Sequence, residues 1–146
     1  MNTLELMAVS LYSIYSLVAF ISGWRECKKK NTFGIAPTYY LLGAFVWGDA
    51  LVFGLFWTVV SAIIILVQDW LLFLLIISAF WLLRSIGETI YWLLQQFTTI
   101  RRFPIRYLPG HVFFGEEGVL FIYQTVAQII AVISLITTVY LFNLWL

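Results

Sequence analysis

The fold class is decided by residues 70–97, which read WLLFLLIISAFWLLRSIGETIYWLLQQF. The first 14 of these residues carry no charge, but a helix of that length is only about 21 Å long. The hydrocarbon core of a bilayer is about 30 Å thick, so a helix that crosses it must continue through Arg84 and Glu88. Apolar and polar residues do not alternate here, as they would in the strands of a membrane barrel. The stretch therefore predicts one long transmembrane helix.

The composition of the whole chain indicates the same solvent. Hydrophobic residues make up 63% of its 146 residues and charged residues 10%. An average soluble domain has about 45–50% and 25%. Three further apolar stretches are long enough to span a bilayer. We therefore expect an all-α membrane protein, a four-transmembrane-helix bundle that forms a single integral membrane domain over residues 1–146. The predicted helices cover residues 4–24, 39–67, 70–97 and 118–145.

The basic residues predict the orientation of this bundle. The chain has eight Lys and Arg residues, and all but Arg84 lie in the loops at 25–38 and 98–117. In a protein with four spans these loops share one side of the membrane. The positive-inside rule makes that side cytoplasmic and both termini non-cytoplasmic, with the plasma (inner) membrane as the expected location. The first loop is also expected to bind anionic lipid headgroups. Its cations are Arg25, Lys28, Lys29 and Lys30.

Several classes of function receive no support from the composition. The single cysteine, Cys27, excludes an intramolecular disulfide, and the single histidine, His111, excludes a histidine cluster for a metal or haem. A net charge of +1 gives no field that would attract nucleic acid. No phosphate-binding loop or catalytic triad occurs. We therefore predict no cofactor, no metal, no nucleic-acid partner and no catalytic residue.

Polar side chains inside the predicted spans are the candidate site. Arg84 and Glu88 lie four residues apart and so share a helical face. Asp49 lies about 15 Å inside a helix that begins at residue 39. A charge at the bilayer centre costs at least about 2.5–3.5 kcal/mol, so Arg84 should pair with Glu88 or Asp49 in one polar layer. The candidates for binding or coupling are Asp49, Arg84, Glu88, Tyr91, Gln124 and Gln128.

Two further patterns concern packing and helix ends. Small residues recur at four-residue steps in the second span, which predicts close contact with a neighbouring helix, either within the bundle or in a second copy. These are Ala50, Gly54, Thr58 and Ala62. Glu116 and Glu117 are expected where the fourth helix begins, because negative charge complements the helix dipole there.

Three interpretations of the function remain open. The first is a non-enzymatic helix-bundle protein or a subunit of a membrane assembly, with a homo-oligomer or another membrane protein as partner. The second is a small oligomeric transporter or channel that uses Asp49, Arg84 and Glu88. The third is a lipid-modifying enzyme with its site at the cytoplasmic interface, which ranks last because no nucleophile and base are paired in the sequence. Its candidate groups are Glu88, Tyr91, Arg101 and His111.

Overall fold

A computed structural model of the chain describes residues 1–97 and 110–146, apart from the side chain of His111. The elements in order are α1 (Thr3–Lys28), a 3₁₀ helix (Pro37–Leu42), α2 (Trp47–Val67), α3 (Trp70–Phe97) and α4 (His111–Trp145). The described part of the chain contains no β-strand, which agrees with the predicted all-α class. The chain forms two compact units, Met1–Leu74 and Leu75–Leu146.

Short polar side chains fix the helix ends in the first unit. Asn2 and Glu5 form a capping box at the start of α1, with hydrogen bonds of 2.9 and 2.7 Å between each side chain and the other's backbone N–H. The Leu72 N–H donates to Asp69 Oδ1 at 3.0 Å at the start of α3. These bonds satisfy N–H groups that a helix leaves unpaired at its N-terminus. Gln68 follows the last residue of α2 with a φ of 60°, and the chain turns there toward α3.

The first unit depends on a close contact between α1 and α2. A Cβ atom added to Gly54 would lie 2.5 Å from the Phe20 backbone nitrogen. A Cβ atom added to Gly23 would lie 2.5 Å from the Leu51 backbone nitrogen. Each glycine thus removes the side chain that would hold the two backbones apart, so dispersion contacts form directly between main chains.

The predicted ridge of small residues on α2 is only partly correct. Ala50 and Gly54 are buried, Thr58 is half-buried and Ala62 is exposed. Ser61 is buried instead. An α-helix has 3.6 residues per turn, so each four-residue step rotates the side chain by about 40° beyond a full turn. A step of seven residues, from Gly54 to Ser61, returns within about 20° of the same face.

Aromatic side chains flank this glycine contact. Trp57 is completely buried, and its ring lies edge-on to that of Tyr12 with centroids 5.4 Å apart. The ring of Phe73, at the start of α3, meets Tyr12 from another side at 5.6 Å. The indole Nε1–H of Trp57 donates to the backbone oxygen of Leu42 at 3.3 Å. The core of the first unit therefore includes the segment between α1 and α2 as well as the helices.

The prediction of one helix over residues 39–67 is wrong in its first eight residues. Pro37 begins a 3₁₀ helix, which is a common use of proline because its φ is already helical. Gly43 follows with a φ of 74°, and the chain then runs back to the start of α2 at Trp47. A left-handed φ suits glycine and ends the helical path. α2 itself keeps 21 residues, about 31 Å.

The other spans agree more closely with the sequence. α3 is one continuous helix from Trp70 to Phe97, which confirms that it runs past Arg84. α4 begins at His111, but Gly115 interrupts it with φ 67° and ψ −179°, so the regular helix restarts at Glu116. That backbone conformation is essentially restricted to glycine. Glu116 and Glu117 accordingly occupy the first turn after the break.

A substitution at Gly54 tests the helix contact. Gly54→Ala should lower the free energy of unfolding by about 1–3 kcal/mol, because the added methyl group meets backbone atoms that cannot rotate away. Reversible unfolding in mild detergent by SDS titration measures this change. Gly87→Ala is the matched control, since a Cβ atom there meets nothing within 4 Å. Replacing this helical glycine should stabilise by up to about 1 kcal/mol. Equal effects of the two substitutions would contradict the described contact.

Candidate functional site

One face of α3 carries four polar side chains of the second unit. Arg84, Glu88, Tyr91 and Gln95 recur at spacings of three and four residues, which puts them along one side of the helix. Arg84 Nη2 lies 2.9 Å from Glu88 Oε1. The two side chains are 19% and 16% exposed, so they are partly screened from solvent rather than buried. The pair by itself carries no net charge.

Two adjacent glutamines lie near the end of α3, and Gln96 points about 100° away from the face that Gln95 shares with Arg84. Gln96 Nε2 donates to Oε1 of Gln124 on α4 at 2.6 Å, which joins the two helices. Gln95 is 7% exposed, and its Oε1 has no hydrogen-bond partner in residues 1–97 and 110–146. A buried acceptor without a donor is uncommon in folded proteins and marks a position where a further group could bind.

Aromatic and aliphatic packing surrounds the glutamine contact. The rings of Trp92 and Tyr123 lie 5.1 Å apart between α3 and α4. Val119 and Leu120 are buried against the same two rings. The hydrogen bond between the side-chain amides of Gln96 and Gln124 therefore has apolar neighbours. In such surroundings a hydrogen bond is electrostatically stronger than in water.

The remaining candidates on α3 and α4 have different environments. Tyr91 packs its ring against Trp92 with centroids 5.0 Å apart. Gln128, one turn beyond Gln124, is exposed. The amides of Gln124 and Gln128 were predicted to share a polar stripe, but only Gln124 contributes to the bond between the helices.

Asp49 occupies a different position from the one predicted. It was expected about 15 Å inside a helix that begins at residue 39, but α2 begins at Trp47 and Asp49 lies in its first turn. The Phe45 N–H donates to Asp49 Oδ2 at 3.2 Å. A carboxylate in the first turn of a helix bonds backbone N–H groups and complements the dipole, so this acid helps to start α2.

The predicted polar layer consequently divides between the two units. Asp49 belongs to the first unit, whereas Arg84, Glu88 and the glutamines belong to the second. The buried polar side chains of residues 1–97 and 110–146 are serines and Gln95, and none of them is charged. The arrangement that would join Asp49 to Arg84 stays a prediction.

The basic cluster lies at the end of α1. Arg25, Lys28, Lys29 and Lys30 are all exposed. Lys28 Nζ lies 5.2 Å from the ring centroid of Trp24, a cation–π contact. Lys29 pairs with Glu26. These side chains place four exposed cations at one end of α1, one of them against the exposed ring of Trp24.

Some of the predicted groups cannot be located. Arg101 and the rest of segment 98–109 lie outside the described residues, as does the side chain of His111. Within the described residues, no group of His, Cys, Asp and Glu side chains could hold a metal ion. Gln96 was missed by the sequence analysis, although its adjacent pair with Gln95 breaks an apolar run and could have drawn attention to it.

The geometry defines a class of protein. Each of the helices α1 to α4 is long enough and apolar enough to cross a membrane, which indicates a multi-pass integral membrane protein. No known family matches the chain, and neither the curated proteins nor the solved structures include a match.

Proposed function

We propose that the chain is a non-enzymatic subunit of a membrane assembly and that a second copy of the chain is its partner. The observation that carries this proposal is the exposed amide of Gln128. Gln128 lies about 18 Å along the regular helix that starts at Glu116. A hydrocarbon core is about 30 Å thick, so this amide would lie near its middle. A polar group in lipid is costly without a hydrogen-bond partner, and a neighbouring helix can supply one.

A second copy suits this amide because glutamine is self-complementary. Its side chain offers both an N–H donor and an oxygen acceptor. Two copies of Gln128 related by a twofold axis can therefore exchange two hydrogen bonds. Association through this contact would satisfy the amide without any other polar partner.

The acidic side chains support an architectural role. Five of the seven acids have a partner within a few residues of their own position, at a helix end or one turn away. These are Glu5, Glu26, Asp49, Asp69 and Glu88. Local partners of this kind fix helix ends and helix faces, whereas a catalytic site requires such groups to converge on a substrate.

Substitution of Gln128 tests the assembly. Gln128→Leu should weaken association about 8- to 300-fold, because it removes both hydrogen bonds of the pair and each interhelical bond in a membrane contributes about 0.6 kcal/mol on average and at most about 1.7. Resonance energy transfer between donor- and acceptor-labelled copies in liposomes, measured over a range of protein-to-lipid ratios, gives the association constant.

Thr137→Val is the matched control for this experiment. Thr137 is also exposed on α4, but its Oγ1 already donates to the Ile133 backbone oxygen at 2.9 Å. Its removal should leave association unchanged. A parent protein that stays monomeric at every ratio would contradict the proposal, and an unaffected Gln128→Leu variant would exclude Gln128 as the contact.

A small transporter or channel is the second candidate function. The partly exposed Arg84–Glu88 pair favours it, and so does the Oε1 of Gln95, which has no hydrogen-bond partner among the described residues; these groups lie along one face of α3. Polar groups in a row along a span are typical of ion and proton pathways.

Glu88→Gln separates the two candidates. It keeps the shape of the side chain but removes its charge. A transporter should lose flux of protons, Na⁺ or K⁺ in liposomes while its association is retained, whereas a purely architectural subunit should show no flux before or after the change. A parent rate equal to that of protein-free liposomes contradicts transport of these ions.

The orientation and the lipid contact are part of the proposal. The exposed cations at the end of α1 and those at 101–106 would face the cytoplasm and bind anionic headgroups, and both termini would lie outside. In a Cys27→Ser background, an impermeant maleimide added to intact cells should label Thr3→Cys. It should label Lys30→Cys only after permeabilisation. The reverse pattern would overturn the orientation.

A further inference from the structure

We infer that residues 33–46 form a re-entrant hairpin that enters the hydrocarbon layer beside α1 and α2 and contacts lipid acyl chains with its outer side. The chain would thus enter and leave the membrane on the same side between the two spans. This inference concerns the membrane contact of the first unit and is independent of the proposed assembly.

The two ends of the segment meet at the start of α2. The Gly48 N–H donates to the Thr32 oxygen at 2.9 Å, and the Trp47 N–H donates to the Gly34 oxygen at 3.0 Å. Ile35 and Val46 form an antiparallel bridge next to these bonds. The segment therefore leaves and returns at one point, as a hairpin does.

The tip of the hairpin lies far along both helices. The Tyr15 hydroxyl donates to the Thr38 oxygen, and Tyr15 lies about 20 Å before the end of α1 at Lys28. Trp57, which donates to the Leu42 oxygen at 3.3 Å, lies about 15 Å beyond the start of α2. The 3₁₀ helix consequently packs beside the middle of two helices that are each long enough to cross the hydrocarbon core.

A third contact lies between the tip and the end. The Tyr39 hydroxyl donates to Ser22 Oγ at 3.0 Å, and the Tyr39 ring packs against those of Tyr15 and Trp47 with centroids 5.7 and 6.1 Å apart. Tyr39 is 8% exposed. The hairpin is therefore attached to α1 and α2 at successive depths rather than at its ends alone.

The chemistry of the segment suits a low dielectric. No charged residue occurs between Lys30 and Asp49. Backbone groups inside a bilayer must form their hydrogen bonds within the protein. Most N–H groups of this segment donate to protein oxygens, and Pro37 has no backbone N–H. Apart from the hydrogen bonds within the 3₁₀ helix, the N–H donors include Gly34, Ala36, Tyr39, Gly43, Ala44 and Phe45, and Trp47 donates just after the segment.

The outer side of the hairpin is apolar and exposed. Phe33 and Leu41 are 83% and 73% exposed, and Ile35 and Tyr40 are also exposed. We expect lipid acyl chains to cover this side. The contacts with Tyr15 and Trp57 place the hairpin at the same depth as the outward faces of α1 and α2, which lipid also covers. Thr38 and Tyr40 add only hydroxyl groups to this side, so water at this depth would meet mainly large apolar side chains.

Spin labels measure the depth of this segment. Leu41→Cys is labelled in a Cys27→Ser background and reconstituted into bilayers. Its collision rates with oxygen, which concentrates in lipid, and with a polar nickel complex, which remains in water, are then compared. Val59→Cys is the control for the middle of a span, since it is exposed and lies about 18 Å along α2. Lys30→Cys is the control for water.

The expected result is a gradient. Leu41→Cys should match Val59→Cys, with high oxygen and low nickel accessibility, and Phe33→Cys should fall between Leu41→Cys and Lys30→Cys. Nickel accessibility at Leu41 equal to that at Lys30 would overturn the inference, because the segment would then lie in water. Low accessibility to both reagents would also overturn it and indicate a protein partner. Tyr40→Cys repeats the measurement if the Leu41 variant does not fold.

Discussion

The direct backbone contact between α1 and α2 is the constraint on which the first unit depends. Gly23 and Gly54 leave no side chain between the two helices. The large residues therefore lie at the flanks of the contact, where Tyr15 on α1 and Trp57 on α2 bond the segment between the helices. If a side chain separated α1 from α2, these two residues could not bind the same hairpin from both helices at once. The glycines thus determine the position of the hairpin as well as that of the helices.

Lipid as the solvent explains how the chain uses its few charges. A carboxylate inside a bilayer is costly, so it must lie at a helix end or have a partner. Asp49 and Asp69 start helices by accepting backbone N–H groups, and Glu88 pairs with Arg84 one turn away. Polar side chains used in this way maintain the fold. In the proposed assembly the group that would bond a helix of the second copy is the exposed amide of Gln128, which is uncharged.

Sequence reasoning predicted what hydrophobicity and length determine, and it failed where other constraints decide. Residues 70–97 had to form one helix because a shorter one could not cross the core, and α3 has these bounds. Residues 39–46 are as apolar as a span, so composition could not distinguish a helix from a folded hairpin. The predicted place of Asp49 ten residues inside a helix was wrong for the same reason, because Asp49 lies in the first turn of α2. The bond between Gln96 and Gln124 joins two helices, and such a pairing depends on packing that no single periodicity contains.

The two units achieve helix contact by opposite means, and this difference bears on where a partner would bind. In the first unit glycines allow close packing that needs no polar bond between α1 and α2. In the second unit α3 and α4 meet through the rings of Trp92 and Tyr123 and one amide pair. Large side chains keep helix backbones apart, so polar groups must supply specificity. The second unit consequently carries amides beyond those that its own fold uses, and a partner helix would bind there.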